Sequence, residues 1–408
     1  MEALSFDIIV VGAGPAGCSF IYSLRNEDIK IALIDKSVFP RDKICGDALS
    51  ADVINQFYRI DSALAKRFEE FAEKLPSQGV RFFAPNGRKL DIDFKNSNYG
   101  KAAGYISKRV DFDNFWFNQI KDLPNVTVYQ NHQVADINVV GDRVTVHANN
   151  TTFNAEIVIG ADGAHSIVNK KLGKIKVEKQ HYCAGLRQYY AGVENFHEQN
   201  HIELHFYDGI LPGYFWVFPL KNGQANIGLG MLSSEVSKQK LDLKKKLEEI
   251  VATHPNLKER FKNAQQLEKP QGFGLPIGSK KRPVSGDRFL LLGDAASLID
   301  PFTGEGIGNA IRSGRLAADH IKDCVNENRF DALYNKKYDR VIYHKMWGEL
   351  RISRGMQKLL KYPKLLNFVV KKANKNESVR TLLTSMLDNL DLKKELLKPS
   401  FYVKLLFN

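Results

Sequence analysis

Short apolar runs separated by a glycine-rich turn mark the beginning of the chain. Residues 6–11 read FDIIVV, and the length and β-branched content of this run predict a buried parallel strand. The turn over residues 12–17 leads into a helix that we expect to end near Leu24, and residues 30–34 predict the next strand. This order of elements is a βαβ unit, the usual start of a doubly wound sheet.

Alternating apolar and polar positions predict a second kind of sheet further along. Residues 79–84 and 88–94 alternate on either side of Pro85-Asn86-Gly87, which predicts a hairpin. Later runs predict a second, largely antiparallel sheet, at residues 185–193, 201–207, 214–219 and 224–232. Other runs predict a meander that returns to the parallel sheet, at residues 126–131, 134–140, 142–148 and 156–162.

Helical patterns dominate the last third of the chain. We expect a charged helix over about residues 236–253, a strand at 288–294, a long helix from about Gly306, and helical structure from there to residue 408. The pattern therefore predicts an α/β protein with three parts: a discontinuous doubly wound unit (residues 1–75, 100–172 and 280–325), an inserted sheet-rich unit (76–99 and 173–279), and a helical C-terminal segment (326–408).

The composition is that of an ordinary globular protein, but charge is distributed unevenly along the chain. The chain of 408 residues is 43% hydrophobic and carries a net charge of +13, most of it between Lys345 and the end. That basic segment also contains apolar clusters at residues 362–370 and 401–407, which favours contact with an anionic membrane surface. A solvated helical lid with a charged outer face explains the same pattern. No nucleic-acid-binding motif accompanies the charge, so we expect no nucleic-acid partner.

The cysteine content and the hydropathy of the chain indicate its cellular location. The four cysteines show neither metal-ligand spacing nor a dense disulfide framework, which predicts a reducing cytoplasm and no metal site. The most membrane-like stretch, residues 8–24, is preceded by acidic residues and interrupted by glycines. We therefore expect neither a signal peptide nor a spanning helix.

The turn at residues 11–17, VGAGPAG, has the GxGxxG spacing. Gly12 permits a tight turn, Gly14 lets a diphosphate approach the main chain, and Gly17 lets the helix pack on the strand. Pro15 suits the first helical turn, where its missing N–H is no loss. Asp35 ends the second strand, where a carboxylate can accept hydrogen bonds from a ribose diol. Together these features predict a dinucleotide site at the end of the first strand.

Two further motifs extend this prediction. Residues 159–166, IGADGAHS, place Asp162-Gly163 directly after a predicted strand. Residues 289–311, FLLLGDAASLIDPFTGEGIGNAI, deliver Asp294 at a strand end and then start a helix from a glycine-rich turn. The positive end of that helix suits a group that gains negative charge on reduction.

The three motifs in this order resemble the flavoprotein hydroxylase (p-hydroxybenzoate hydroxylase-like) superfamily. The resemblance covers roughly the first 325 residues and implies a Rossmann-type domain that binds FAD rather than NAD. It also implies FAD contacts for an arginine that opens the helix after the crossover strand, which Arg109 matches, with Arg41 as a weaker candidate. The cofactor-binding residues predicted in this way are Gly12, Gly14, Pro15, Ala16, Gly17, Asp35, Lys36, Arg41, Gly46, Arg109, Asp162, Gly163, Gly293, Asp294, Gly304, Gly306 and Ile307.

Two more stretches resemble the geranylgeranyl reductase family. Residues 39–47, FPRDKICGD, look like its PxxKxCG segment, and residues 214–230, YFWVFPLKNGQANIGLG, look like its YxWxFP…GxG signature. Alternation would place the three aromatic side chains on one face of a strand, as the wall of an apolar tunnel or simply as an aromatic sheet core. The two glycines would leave space beside that wall or a passage for ligand. The candidate pocket residues are Tyr214, Trp216, Phe218, Pro219, Gly228 and Gly230.

Cys45 is the candidate catalytic residue. In the family that it resembles, this cysteine lies near the reactive side of the flavin. Hydride delivery to an isolated alkene requires a proton at the other carbon, and a nearby thiol could supply it, with Lys43 modulating its acidity. The alternative is a small thiol that fills space under the ring.

The resemblance implies a reductase that saturates carbon–carbon double bonds of an isoprenoid or related lipid. The electron donor would be NAD(P)H bound transiently, since no second dinucleotide motif is visible, or a protein carrier. The first alternative is an FAD-dependent monooxygenase of an aromatic, quinone or polyketide-like substrate. Halogenating relatives carry WxWxIP where this chain has Tyr214 and Phe218, which argues against halogenation. A prenyl-lipid escort protein without redox activity is the remaining alternative.

Overall fold

A computed structural model describes residues 3–93 and 104–381 of the chain. Its parallel sheet has six strands in the order β20-β21-β13-β2-β3-β9, in which the short edge strand β20 is antiparallel to its neighbour. They are β2 (Ile8–Val11), β3 (Ile31–Ile34), β9 (Val126–Tyr129), β13 (Ile157–Gly160), β20 (Ser285–Gly286) and β21 (Phe289–Leu291). Four of these strands, β2, β3, β13 and β21, are buried along their whole length, as expected where both faces of a sheet are covered. The predicted βαβ opening and the α/β fold class are confirmed.

Two helices that begin at the carboxyl edge of this sheet pack closely on each other. They are α1 (Pro15–Ser23), which follows β2, and α7 (Ile307–Glu327), the long helix that the sequence predicts after β21. A Cβ atom on Gly314 of α7 would lie 2.2 Å from Ser19 Oγ and 2.5 Å from Ala16 O of α1. Glycine is therefore required at this crossing, which brings the amino-terminal ends of both helices to the same edge.

The strands predicted to form one meander belong to two different sheets. Residues 134–155 supply three strands of a separate four-stranded sheet in the order β1-β12-β11-β10, made of β1 (Leu4–Ser5), β10 (Val134–Val140), β11 (Arg143–Ala148) and β12 (Thr151–Ala155). The first strand assigned to the meander, β9, instead pairs in parallel with β3. The sequence TTFNA of β12 is too polar to be recognised alone; pairing with β11 and β1 makes it a strand.

The second large sheet is mostly antiparallel, as predicted, with eight strands. The predicted hairpin is confirmed over its described residues, since β6 and β7 are antiparallel neighbours; residue 94 lies outside them. β15 pairs with β6 in parallel and with β16 in antiparallel fashion. The strands are β6 (Gly79–Phe83), β7 (Lys89–Asp93), β14 (Tyr182–Ala191), β15 (Ile202–His205), β16 (Tyr214–Pro219), β17 (Gln224–Leu232), β18 (Gln265–Gln266) and β19 (Gln271–Pro276).

A small sheet and three helices complete the described part of residues 48–118. The sheet order is β4-β8-β5, with β4 (Ala48–Leu49), β5 (Leu75–Ser77) and β8 (Gly104–Ile106). The helices are α2 (Ala51–Ile60), α3 (Ser62–Glu70) and α4 (Arg109–Asn118). They are held by stacked aromatic rings: the Phe57 ring lies 4.8 Å from that of Phe68 and 4.9 Å from that of Trp116.

The charged helix predicted at residues 236–253 is two helices, α5 (Ser233–Gln239) and α6 (Leu243–Thr253). Lys240 ends the first in the left-handed region, with φ of 50°. Asp242 begins the second, because its side chain accepts hydrogen bonds from the main-chain N–H groups of Lys244 and Lys245. The single-helix prediction overlooked this capping aspartate.

The described C-terminal part is helical, as predicted, with α8 (Ala332–Leu359) and α9 (Pro363–Lys375). Ile352 of α8 and Val370 of α9 share an apolar cluster with Val80 of β6 and Leu90 of β7, so both helices pack on the second large sheet. The apolar cluster predicted at residues 401–407 lies outside the described residues. Over the described ranges, we find no helix with the length and apolar character needed to cross a membrane.

We retain the division into three parts, with its boundaries, as a proposal. It is supported by separate apolar cores. One core surrounds the parallel sheet, and another lies between α6 and the strands β14, β16 and β17. The chain leaves the first core and returns to it twice, which is the pattern of an inserted unit.

Candidate functional site

The glycine turn between β2 and α1 has the geometry that a diphosphate requires. Gly12 has φ of +101°, and a Cβ atom there would lie 2.5 Å from Ala161 O, so no other residue fits. A Cβ on Gly17 would lie 2.0 Å from Gly12 O. Gly14, by contrast, faces open space, because only Arg41 Nη2 approaches its Cβ position, at 3.7 Å. The amino-terminal end of α1 is thus left accessible to a ligand beside Gly14.

Asp35 directly follows β3 next to this turn, and its side chain is largely buried. Its Oδ2 accepts a hydrogen bond of 2.8 Å from the Ala13 N–H, and its Oδ1 accepts one of 2.8 Å from the Ser37 N–H. These bonds fix the orientation of the carboxylate. Each oxygen keeps a further lone pair, so the group can still accept hydrogen bonds from a diol.

Two more aspartates lie at the same edge of the parallel sheet. Asp162 follows β13, and its Oδ2 accepts a hydrogen bond of 2.6 Å from the Ile167 N–H. Burial raises the pKa of Asp162, although hydrogen bonds from Ser166 and Ile167 oppose the shift. Asp294 follows β21, and its Oδ1 lies 3.3 Å from the position of a Cβ on Gly306, the residue that caps α7. Both motifs therefore join the glycine turn at one edge.

Two arginines share one buried carboxylate beside this edge. Arg109, the first residue of α4, forms two hydrogen bonds of 2.7 and 2.8 Å with Asp113, and Arg41 forms an ion pair of 2.5 Å with the same carboxylate. Burial alone would raise the pKa of Asp113, but Arg109 and Arg41 hold it below its usual value. Asp113, one helical turn after Arg109, was missed by the sequence analysis, although its i,i+4 spacing could have revealed it.

The loop that carries Cys45 lies between the two large sheets. Cys45 is half-buried and lines the same cavity as Arg109. Lys43 extends towards the parallel sheet, where its Nζ forms an ion pair of 3.0 Å with Asp294 Oδ2. A Cβ on Gly46 would lie 3.0 Å from the Phe218 ring. The loop thus contacts the predicted cofactor residues on one side and the predicted pocket on the other.

Three aromatic side chains of β16 form a continuous wall. Tyr214, Trp216 and Phe218 alternate along the strand, with ring centroids 6.3 and 6.1 Å apart. Burial raises the pKa of the Tyr214 hydroxyl well above its ordinary value, and this hydroxyl donates a hydrogen bond to Thr303 O in the loop before α7. The wall is therefore attached to the part of the chain that carries the third motif.

The two glycines of β17 have different surroundings. A Cβ on Gly228 would lie 2.2 Å from Trp216 Cζ2 and 2.1 Å from Leu186 O. The indole ring therefore occupies the space that a side chain at residue 228 would need. A Cβ on Gly230 would meet only Trp216 Cζ3, at an ordinary 3.8 Å. Gly228 therefore supports the wall from behind, and Gly230 borders open space.

A buried hydrogen-bond network next to Cys45 was also missed by the sequence analysis. Asn226 Nδ2 donates to Cys45 O at 2.7 Å and to Asp47 Oδ2 at 2.8 Å, and the Tyr189 hydroxyl donates to Asp47 Oδ2 at 2.7 Å. Burial raises the pKa of Asp47 from 3.8 to about 6. Asp47 directly follows Cys45-Gly46, and this position could have identified it. No local pattern marks Asn226 or Tyr189.

A cavity of about 830 Å³ connects all of these features. Its size falls within the range of ligand-binding pockets. Twenty of the predicted site residues line it, from the glycine turn through Asp35, Asp162, Asp294 and Cys45 to the aromatic wall and Gly230. Four predicted residues do not line it: Gly17, Gly293, Pro219 and Gly228. The first and last of these permit close packing behind the lining, as described above.

Comparison with known proteins identifies the nucleotide. Residues 5–338 match the FAD binding domain family. The chain belongs to this family. It is 28% identical over 368 residues to a menaquinone reductase of Mycobacterium tuberculosis, and the aligned residues cover 89% of this chain and 86% of that protein. It is 28% identical over 373 residues to a digeranylgeranylglycerophospholipid reductase of Methanococcus vannielii, covering 88% of this chain and 89% of that protein.

A solved structure shows the same fold. The crystal structure of a geranylgeranyl bacteriochlorophyll reductase-like protein from Thermoplasma acidophilum superposes with a TM-score of 0.81 at 22% identity, covering 97% of this chain and 99% of that one. The predicted FAD cofactor and the resemblance to geranylgeranyl reductases are confirmed by these comparisons. The chain is an FAD-dependent oxidoreductase.

The residues of the site fit FAD. The open space at Gly14 would receive the diphosphate at the positive end of α1, and Asp35 would bind the ribose diol. The amino-terminal end of α7 would face the pyrimidine part of the flavin ring. The cavity extends from these positions past Cys45 to the aromatic wall, so it leaves room for a second, apolar molecule.

Proposed function

We propose that this protein is a reductase that uses FAD to saturate carbon–carbon double bonds of an isoprenoid lipid. One observation supports this best: the cavity that fits FAD continues along Tyr214, Trp216 and Phe218, with the Cys45 loop between the two parts. A long apolar chain can lie against such a wall with a double bond next to the flavin. The relatives named for menaquinone and for digeranylgeranylglycerophospholipid support the same substrate class.

The proposed site has a cofactor part and a substrate part. The seventeen cofactor-binding residues predicted from the sequence would hold FAD or, for Gly17 and Gly293, permit the close packing around it. Tyr214, Trp216, Phe218 and Gly230 would contact the lipid. Pro219 and Gly228 lie outside the cavity lining, so we assign them to the support of the wall.

Cys45 supplies the proton in this proposal. Reduced FAD, when bound, supplies a hydride to one alkene carbon. The other carbon takes the proton of the Cys45 thiol, which is left as a thiolate and regains a proton from solvent. The buried, apolar side chains of Trp216 and Phe218 limit the access of water to this part of the cavity.

We further propose NAD(P)H as the electron donor, bound transiently beside the flavin. The described residues build one glycine-rich dinucleotide turn, at Gly12–Gly17, and FAD would occupy it. The donor must therefore approach the cavity from outside rather than reside in a fold of its own. Flavin reduction rates with NADPH and NADH under anaerobic conditions would identify it, and failure of both would point to a protein carrier.

The test is anaerobic transfer to a lipid. The FAD-loaded protein is photoreduced without oxygen and mixed with a lipid carrying geranylgeranyl chains, and the return of oxidised flavin absorbance is followed. The matched control is the same lipid with fully saturated chains. We expect reoxidation with the unsaturated lipid only, and a product heavier by two hydrogens for each double bond reduced.

Other outcomes would contradict the proposal. If the reduced flavin persists with the unsaturated lipid, while aromatic or quinone substrates produce a burst of oxygen consumption in air, the protein is a monooxygenase. If the purified protein is colourless and binds the prenyl lipid without flavin, it is an escort protein.

We also propose that the protein takes its substrate from an anionic membrane surface. The cavity lining includes Leu360 at the end of α8, and the neighbouring Leu359 and Tyr362 are 40% and 61% exposed. Exposed Lys358 and Lys361 flank them. Flotation with vesicles of phosphatidylglycerol, against phosphatidylcholine as control, tests this; we expect binding to the anionic vesicles and its loss in the double variant Leu359→Asp with Tyr362→Asp.

A further inference from the structure

One buried amide joins the aromatic wall to the Cys45 loop. Asn226 of β17 is fully buried, and its Oδ1 accepts a hydrogen bond of 2.9 Å from Trp216 Nε1. Because an indole N–H can only donate, the amide oxygen must face Trp216, and the amide NH₂ must face the opposite side. There it donates to Cys45 O at 2.7 Å and to Asp47 Oδ2 at 2.8 Å. These three hydrogen bonds therefore fix the orientation of the Asn226 amide.

The loop around Cys45 has further contacts besides the ion pairs of Arg41 and Lys43. Asp47 adopts φ of 68°, in the left-handed region, and its main-chain O accepts a hydrogen bond of 3.0 Å from the Ser107 N–H. Its carboxyl group also accepts the Tyr189 hydroxyl hydrogen bond. Gly46 fits under the Phe218 ring, with no room for a larger residue unless the ring moves. Asn226 is the one side chain among these contacts that bonds directly to the main chain of the cysteine.

Cys45 itself lines the cavity, as does Arg109, which opens α4. The main-chain position of Cys45 therefore determines how far its thiol lies from the wall. An error of about 1 Å in such a distance can slow a reaction by roughly 100-fold.

We propose that Asn226 is a positioning residue for Cys45, holding the thiol at a fixed distance from the aromatic wall. This inference rests on the proposed role of Cys45 as proton donor. Asn226 itself has no contact with the reacting atoms in this scheme. It acts by donating two hydrogen bonds to the loop while Trp216 fixes the orientation of its amide.

The test measures the reactivity of the thiol rather than turnover. The FAD-loaded protein and its Asn226→Ala variant are treated with iodoacetamide, and alkylation of each cysteine is followed by peptide mass spectrometry. We expect Cys45 to react at least roughly 10-fold faster in the variant, because losing about 1.4 kcal/mol of loop restraint opens it that much more often. FAD absorbance should be unchanged. The remaining thiols are buried and serve as internal controls: Cys18, Cys183 and Cys324.

Two further variants sharpen the test. Asn226→Asp keeps the acceptor for Trp216 and the shape of the side chain but cannot donate to the loop, so we expect it to release Cys45 as the alanine variant does. Asn335→Ala is the matched control, because Asn335 is equally buried and its Nδ2 donates to Gly286 O and Phe330 O, both at 2.8 Å, outside the cavity lining. It should leave the alkylation rate of Cys45 unchanged.

Each remaining outcome would overturn the proposal. Unchanged Cys45 alkylation in the folded Asn226→Ala variant would show that the amide does not restrain the loop. Simultaneous alkylation of the buried cysteines would show general unfolding, and loss of FAD would place the amide in cofactor binding. None of these readouts requires a lipid, so a failure of the proposed reductase activity would be seen separately, in the photoreduction experiment.

Discussion

Replacing Gly228 with alanine tests whether the aromatic wall depends on the space behind it. The added Cβ would lie 2.2 Å from Trp216 Cζ2 and 2.1 Å from Leu186 O. Ordinary contacts between such atoms are roughly 3.5–4.0 Å, so more than about 1 Å of overlap must be relieved. The Leu186 oxygen belongs to β14, which pairs with β17 along its length, so the two strands must shift locally and the indole ring must move as well.

The cost follows from this geometry. Overpacking of a buried site costs about 1–3 kcal/mol, and we expect the upper end, about 3 kcal/mol, because one of the two clashes is with main chain. This lowers the ratio of folded to unfolded protein roughly 140-fold. Gly230→Ala is the matched control on the same strand: its Cβ would meet only Trp216 Cζ3, at 3.8 Å, so stability should change by about 1 kcal/mol or less.

Urea unfolding of the FAD-loaded proteins, followed by flavin fluorescence and far-ultraviolet circular dichroism, measures both effects. Gly230 lines the cavity and Gly228 does not, so we expect Gly230→Ala to raise the KM for a lipid substrate while it leaves stability nearly unchanged. Equal loss of stability in the two variants, or a Gly228→Ala protein as stable as the wild type, would refute the packing role of Gly228.

Three further predictions concern named carboxyl and thiol groups. Cys45→Ser should retain FAD and slow alkene reduction roughly 100-fold in anaerobic stopped-flow, whereas Cys324→Ser, outside the cavity lining, should not; equal rates for the Cys45 variant and the wild type would remove Cys45 from the mechanism. Asp35→Ala should weaken FAD binding by about 2 kcal/mol in fluorescence titration, because charge-assisted hydrogen bonds to the ribose are lost, and tight binding in this variant would contradict the assignment. Burial raises the pKa of Asp47 from 3.8 to about 6, so its carboxyl favours folding most below pH 4 and loses that contribution as the pH rises through 6. Relative to Asp47→Asn, the wild type should lose about 2 kcal/mol of unfolding free energy between pH 4 and pH 7, and parallel stability curves would show that the pKa is not raised.

Local sequence was sufficient for features whose causes lie within a few residues. The glycine spacing at residues 12, 14 and 17 lies between a predicted strand and a predicted helix, and together with Asp35 at the end of the next strand it predicted the nucleotide site. Short buried strands and the long helix α7 were predicted from their own residues as well. A strand covered on both faces is apolar throughout, and a helix covered on one face has apolar residues along that face. The alternation of Tyr214, Trp216 and Phe218 likewise placed them on one face of β16 before any contact was known.

Features that depend on pairing between distant segments appeared only in the tertiary structure. No pattern near residue 126 shows that β9 joins β3 rather than the neighbouring meander, because an edge strand is defined by its partner. The polar sequence of β12 became a strand for the same reason.

The network around Cys45 shows this division most clearly. Asn226 and Asp47 are separated by 179 residues and meet only when the second large sheet packs against the loop after β3. The sequence by itself predicted an FAD site, a candidate catalytic thiol at Cys45 and an aromatic strand. Only the tertiary structure decided which buried side chains hold that thiol beside the aromatic strand, because hydrogen bonds between distant segments depend on the relative position of whole sheets.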